Sequence, residues 1–253
     1  MKKLLLLLII PLLSLTQTQI YSSDGVSTIR VPAILDALLG YPTFEEINSK
    51  AIDSYNEATK LVERFFKKED EGLLYKAIDY YIQAINYDDK FVQAYDNLGK
   101  IYRMLGNYKL AQSAYEISIK IFPNGEVAHQ NLAICYLNLE QLSKAIEEYK
   151  TLIKIRPENP EGYYGLGNCY KRQKKYELAL IEATHALELY IKNPPNYIGD
   201  GYWLVGEILY YLDEKDLATE MLQLSISIDA GNEIFTTFNS NYRKKILKDL
   251  NIL

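Results

Sequence analysis

Cys135 and Cys169 are the two thiols of the chain and lie 34 residues apart. In an oxidising compartment such a pair is a candidate disulfide. Equivalent places on neighbouring packed helices are separated by helix axes about 8–10 Å apart, whereas a disulfide needs its Cα atoms within about 7 Å. Buried cysteine also behaves as a small hydrophobe, so core filling is the expectation and a disulfide the alternative. His129 and His185 are the only histidines, and neither has a Cys, Asp or Glu partner at metal-ligand spacing. Interhelical packing is the expectation for His129. Gly165 and Gly167 look like the opening of a dinucleotide fingerprint, but its third glycine is missing and no strand precedes them. There is no GxSxG, no HExxH and no defensible Ser/His/Asp set. The expectation is recognition without catalysis, metal or cofactor.

The cysteine spacing belongs to a wider period. Ala111, Ala145 and Ala179 are also 34 residues apart. Around them Tyr95, Leu98, Gly99, Tyr102, Tyr115 and Pro123 are echoed by Leu132, Ala133, Tyr136, Tyr149 and Pro157, then by Tyr163, Leu166, Gly167 and Tyr170. Two short amphipathic helices joined by a turn cannot bury their apolar faces alone, so units of this length stack on one another. Gly99, Ala133 and Gly167 share one place on the first helices, and the three alanines share one place on the second. Only small side chains let helices pack closely there. Pro123 and Pro157 end repeats because proline cannot continue a helix, and Asn159 before Pro160 reads as an N-cap with proline at the first helical position. The pattern closely resembles the tetratricopeptide repeat. That resemblance implies an all-α, right-handed α-solenoid of stacked helix-turn-helix repeats and an activity of binding proteins or peptides. The family also usually has a small residue at the place of the two cysteines.

Extended along the chain, the register gives repeats near 58–91, 92–125, 126–159, 160–198 and 199–232, inside a repeat domain of residues 44–232. Phe65 replaces the small residue expected on the first helix. Thr43 and Glu46 form a capping-box signature, so that helix is expected to begin near Phe44 and run long. Ala218 follows Ala179 by 39 residues, five more than the period. Pro194 and Pro195 are expected to end the preceding helix and lengthen the connection. Residues 233–253 close with a capping helix near Asn241–Leu253, with Tyr242, Ile246, Leu247 and Leu250 on one side. Residues 20–43 are a leader that reads as a short helix or a flexible segment.

In the resembled family the concave face, lined by exposed positions of the first helices, receives the partner. Carried over in register, those positions are Gln93, Asp96, Lys100, Arg103 and Met104 in the second repeat, and Gln130, Ile134, Leu137 and Asn138 in the third. The fourth and fifth repeats supply Tyr164, Asn168, Lys171 and Arg172 beside Trp203, Glu207, Tyr210 and Tyr211. Trp, Tyr and Arg most often dominate binding energy. An aromatic wall beside two cations is expected to take an extended segment or helix that carries an acid. The competing reading packs Trp203 and Tyr210 over the insertion or against the final helix. A Lys/Asn clamp for a C-terminal carboxylate, known in the family, is not expected, because Tyr164 stands where its lysine would precede Asn168.

Composition sets the remaining bounds. Of 253 residues, 48% are hydrophobic and 24% charged, which is globular and large enough for a continuous core. Lys2 and Lys3 precede an apolar run from Leu4 to Leu13 and a polar stretch from Ser14 to Gln19, the layout of a signal peptide over residues 1–19. The run falls well short of the roughly 20 residues of a spanning helix, so cleavage is expected rather than a retained anchor. Loss of residues 1–19 leaves 26 basic against 33 acidic residues and moves the net charge from -5 to -7. So acidic a chain is a poor ligand for nucleic acid, and its one basic run, Arg243 to Lys245, reads as a solvated face. The expectation is an exported, periplasmic or secreted scaffold for a protein or peptide partner, such as an adaptor of an envelope complex. The alternative is a structural subunit that self-associates through its convex face or stack ends.

Overall fold

The computed structural model describes residues 47–193, 198–229 and 241–252. Among these there are eleven α-helices and no strand, so the all-α expectation holds. The described residues divide into two compact units, one up to Thr151 and one from Leu152 onward. The leader, the signal segment and Pro194 to Tyr197 lie outside the described residues, as do Thr43 and Glu46.

The first unit holds α1 (Ser49–Lys68), α2 (Glu71–Tyr87), α3 (Val92–Met104), α4 (Tyr108–Ile121), α5 (Glu126–Asn138) and most of α6 (Leu142–Ile155). α1 is long, at 20 residues from Ser49; the expected start near Phe44 lies outside the described residues. Asn48 is its N-cap, with a side-chain oxygen that accepts from the Lys50 N–H. Its small buried residues are Ala51, Ser54 and Ala58 rather than the site of Phe65, which packs partly buried at the helix end. Between α3 and α4 the expected close approach is tight: a Cβ on Gly99 would stand 2.8 Å from the Tyr115 ring. Asp96 is buried there and accepts from the Ser118 hydroxyl at 2.5 Å. Burial pushes its carboxyl up to about 6, with the Ser118 bond opposing.

The turn inside each repeat has a feature that the sequence register did not flag. Gly106, Glu140 and Lys174 all take positive φ, at 74°, 60° and 58°. The next N–H groups, of Asn107, Gln141 and Lys175, donate to the carbonyls of Tyr102, Tyr136 and Tyr170 at 2.8, 2.8 and 3.0 Å. This left-handed helix stop satisfies carbonyls that would otherwise be orphaned. Glycine occupies only the first of the three, so Glu140 and Lys174 each carry a backbone cost of about 1 kcal/mol.

His129 is buried on α5 between two acceptors: Nδ1 lies 2.6 Å from a Glu148 oxygen and Nε2 2.9 Å from the Pro123 carbonyl. The expected packing role is thus also an electrostatic one. Burial disfavours the imidazolium, but the bond to Glu148, the bond to Pro123 and the Glu148 charge together raise its pKa above 6.5. His129 therefore stabilises the fold most fully below pH 6.5, and the contribution is lost as pH rises through the higher folded value. His129→Gln is expected to flatten this fall in urea titrations run at several pH values. An unchanged pH slope in the variant would remove the imidazolium from the account.

The second unit holds the end of α6, then α7 (Pro160–Arg172), α8 (Tyr176–Lys192), α9 (Ile198–Tyr211), α10 (Lys215–Asp229) and α11 (Asn241–Asp249). Asn159 caps α7 as expected, accepting from the Glu161 N–H at 3.0 Å with Pro160 first in the helix. At Gly167 the α8 backbone itself comes near: a Cβ would meet the Ala183 nitrogen at 3.2 Å and the Ala179 carbonyl oxygen at 3.3 Å. The inserted residues mainly extend a helix, because α8 has 17 residues where α4 and α6 have 14 each. The core of this unit joins Leu180, Leu187, Trp203, Ile208, Met221 and Leu222 with Ile246 and Leu247 of α11.

Both cysteines are buried free thiols. Burial pushes Cys135 up to about 11 and Cys169 up to about 12, which suits core filling rather than reactivity. Among the described residues no helix is long and apolar enough to cross a membrane.

Candidate partner-binding face

α9 is apolar over most of its circumference, and Gly201 and Gly206 allow it close neighbours: their Cβ atoms would stand 3.0 Å from Tyr190 and 2.8 Å from Leu222. The face that the register assigned to binding carries Trp203, Glu207, Tyr210 and Tyr211. It is not an open wall. Trp203 is 2% exposed and Glu207 4% exposed. Tyr210 is half-buried, and Tyr211, at 38%, is the one exposed member of the set on this helix.

Glu207 is the centre of the arrangement. Lys171 on α7 places its Nζ 2.8 Å from one carboxylate oxygen, and the Trp203 indole N–H donates to the other at 3.1 Å. The Tyr242 hydroxyl of α11 donates to the oxygen that Lys171 holds. A carboxylate so deep in the protein is tolerated because a cation and two neutral donors replace its lost hydration. Lys171 is therefore neutralised inside the unit. The expectation of two cations awaiting an acidic partner is corrected, and of the two only Arg172 is exposed.

α11 covers the rest. Arg243 sets its guanidinium 4.5 Å from the centre of the Trp203 ring, and one of its nitrogens is 3.9 Å from Asp200 on α9. The expectation of a wholly solvated basic run is corrected for this residue, while Lys244 and Lys245 are exposed. Tyr211 donates to the Tyr242 hydroxyl at 3.0 Å, and Tyr210 donates to Asp249 at 2.7 Å. Ile246, Leu247 and Leu250 are buried below these contacts, at about 1.5–3 kcal/mol each as an upper estimate. The competing sequence reading, that Trp203 and Tyr210 pack on the final helix, describes this arrangement.

Tyr164 and Asn168 lie half-buried on α7, where Asn168 donates to the Tyr164 carbonyl at 3.1 Å. Burial, reinforced by Asp200, holds the Tyr164 phenol well above its usual range against the Asn168 bond and the Arg243 charge. The structure thus brings Lys171, Trp203, Glu207, Tyr210 and Tyr211 into one constellation, with Tyr164 near its Asp200 edge. Asp200, Tyr242, Arg243 and Asp249 were missed as members. The available signal was Tyr242, set four to eight residues before Ile246, Leu247 and Leu250, with Arg243 beside it, a polar pair that a capping role alone does not require.

In the first unit the corresponding face is more open. Lys100, Met104 and Asn138 are exposed, Arg103, Gln130, Ile134 and Leu137 half-buried, and Asp96 buried. Gln93 differs from its neighbours, because its carboxamide nitrogen and oxygen are both shut away from solvent with no partner among the described residues. A buried group left in this state costs stability. Gln93→Met is expected to raise stability by about 1 kcal/mol, read as a higher urea midpoint at unchanged slope. A lower midpoint would show that the carboxamide is bonded in solution.

Three comparisons bear on this arrangement. Residues 92–124 and 160–190 each match a family model described as a tetratricopeptide repeat, and residues 135–174 match one described as a TPR repeat. No curated protein matches the chain. Among solved structures, MamA 41-end from Desulfovibrio magneticus RS-1 is similar with a TM-score of 0.62 at 18% identity, covering 74% of this chain and 99% of that one. TTC0263, a thermophilic TPR protein in Thermus thermophilus, gives 0.58 at 14% identity over 80% of this chain and 100% of that one. YrrB, described as a TPR protein with an unusual peptide-binding site, gives 0.55 at 21% identity over 72% of this chain and 88% of that one. Residues 92–124 and 135–190 thus match tetratricopeptide-repeat models, and the all-α fold of the chain is shared with solved proteins of that kind.

Proposed function

We propose that this protein is a non-catalytic interaction scaffold that holds a peptide segment or helix of a partner protein on the face of its first helices. The observation that carries the reading is the seating of α11: the same face of α9 already binds a helix, through a carboxylate, an aromatic platform and an apolar floor. The peptide-binding site named for YrrB supports the same class of activity. Close packing at Gly99 within the first unit and at Gly167 within the second supports a preformed first-helix face in each, and a preformed face lowers the ordering cost of binding.

The signal-like segment over residues 1–19 supports export, and with it a role as a periplasmic or secreted adaptor of an envelope complex. Fractionation with N-terminal sequencing checks this. A mature chain beginning near residue 20 outside the cytoplasm is expected, and an intact Met1 in the cytoplasm would end the export reading.

The binding reading is tested with mature protein in pull-downs from the envelope fraction. Lys100→Ala/Met104→Ala/Asn138→Ala alters the first-helix face, and Leu110→Ala/Ile117→Ala alters exposed residues of α4. After circular dichroism establishes equal folding, the first variant is expected to lose a partner that the second keeps. The reverse result would move binding off the first-helix face. A structural role is favoured by one observation, the exposed Phe66, Tyr75, Ile82 and Tyr87 on α1 and α2. Concentration-dependent self-association that disappears with Phe66→Ser/Tyr75→Ser would establish it instead.

A further inference from the structure

Asp200, Trp203, Glu207, Tyr210 and Tyr211, the groups that α11 meets through Tyr242, Arg243 and Asp249, recur at successive turns along one face of α9. We propose that this face, with Lys171 behind it, is a receptor for an amphipathic helix of defined chemistry, and that α11 is its resident occupant, displaced when a partner's helix of the same chemistry binds. The chemistry is a tyrosine followed by arginine or lysine, with aliphatic residues four, five and eight positions after the tyrosine, as in Tyr242, Arg243, Ile246, Leu247 and Leu250. This rests on the reading of the first-helix face as the binding face and adds the partner's identity by chemistry.

Three observations favour a replaceable occupant over a fixed part of the core. The acceptor outlasts its guest: Glu207 keeps Lys171 and Trp203, both from the body of the unit, when Tyr242 leaves. The charge sense is defined, because the face offers a carboxylate and an indole ring, which select a hydroxyl donor and a cation. α11 itself has only nine residues, below the roughly 12–15 at which an isolated helix holds its shape in water. Its helicity is therefore coupled to docking. A tethered occupant competes at an effective concentration of the order of millimolar, so an external helix binds with its affinity reduced by the fraction of faces already filled.

The test uses the full mature chain and a fluorescent peptide of residues 241–253, followed by anisotropy. Leu247→Asp in the protein releases α11, and Tyr242→Phe/Arg243→Ala provides a milder release should the first variant fold poorly by circular dichroism. The released proteins are expected to bind the peptide at least tenfold more tightly than wild type does. Replacing Leu247 by Asp in the peptide should abolish binding to them, and Tyr242→Phe in the peptide should weaken it severalfold. A folded, released protein that takes no peptide would overturn the proposal. If the pull-down partner still depends on Lys100, Met104 and Asn138, the binding-face reading survives that failure; if it does not, both fall. A wild-type dimer by light scattering that dissociates on release of α11 would also overturn it, by assigning the face to a second copy.

Discussion

Tyr115→Ala is expected to destabilise the first unit by about 3–5 kcal/mol. The ring is fully buried on α4 and fills the space that Gly99 leaves on α3, close enough that a Cβ at Gly99 would overlap it at 2.8 Å. Truncation leaves a cavity between α3 and α4 where the ring stood, so the transfer and cavity costs both apply. The pairing makes a sharper claim than the single loss. In wild type, Gly99→Ala gains roughly 1 kcal/mol of helix propensity but drives a Cβ into a ring that cannot move, for a net cost of about 1–2 kcal/mol. In the Tyr115→Ala background the clash is gone and the same change is expected to stabilise by up to about 1 kcal/mol. Urea titrations of the four proteins followed by circular dichroism measure the cycle. Additive effects would show that the two residues are not in contact and that the small-residue position has another cause.

Lys171→Met is expected to cost about 3 kcal/mol in the second unit. It leaves the Glu207 carboxylate, 4% exposed, to two neutral donors. Lys171 is itself partly solvated, at 18%, which places the effect at the low end for a broken buried pair. Lys171→Met/Glu207→Met removes both charges and is expected to recover most of the loss, because an apolar pair of similar volume avoids desolvation of either ion. Trp203 is the chain's single tryptophan and touches Glu207, so its fluorescence reports this unit directly. A single-variant cost below about 1 kcal/mol, the range of exposed ion pairs, would sink the description of Glu207 as a buried anchor.

Much of the local structure was legible residue by residue. Close packing at Gly99 and Gly167 followed from their place in the period, and the cap at Asn159 followed from the proline after it. These features depend on neighbours a few residues away or one period away, so they leave a regular trace in the chain. The left-handed turns at Glu140 and Lys174 left none, because a side chain that merely tolerates the conformation gives no compositional sign of it.

The candidate face marks the limit most clearly. Sequence by itself determined the period, the helix pairs, the small-residue contacts and the set of residues that share the first-helix face, because helical geometry converts spacing into direction. It could not determine what lies opposite that face. Lys171 and Glu207 were read as one cation and one acid available to a partner, yet they neutralise each other across two helices, and Arg243 reaches Trp203 from 40 residues away. Whether a charge is offered to solvent or consumed inside the protein depends on which side chain comes within a few ångströms of it. That is a property of tertiary contacts, and here the contacts put a helix of the chain's own where an open aromatic groove was expected.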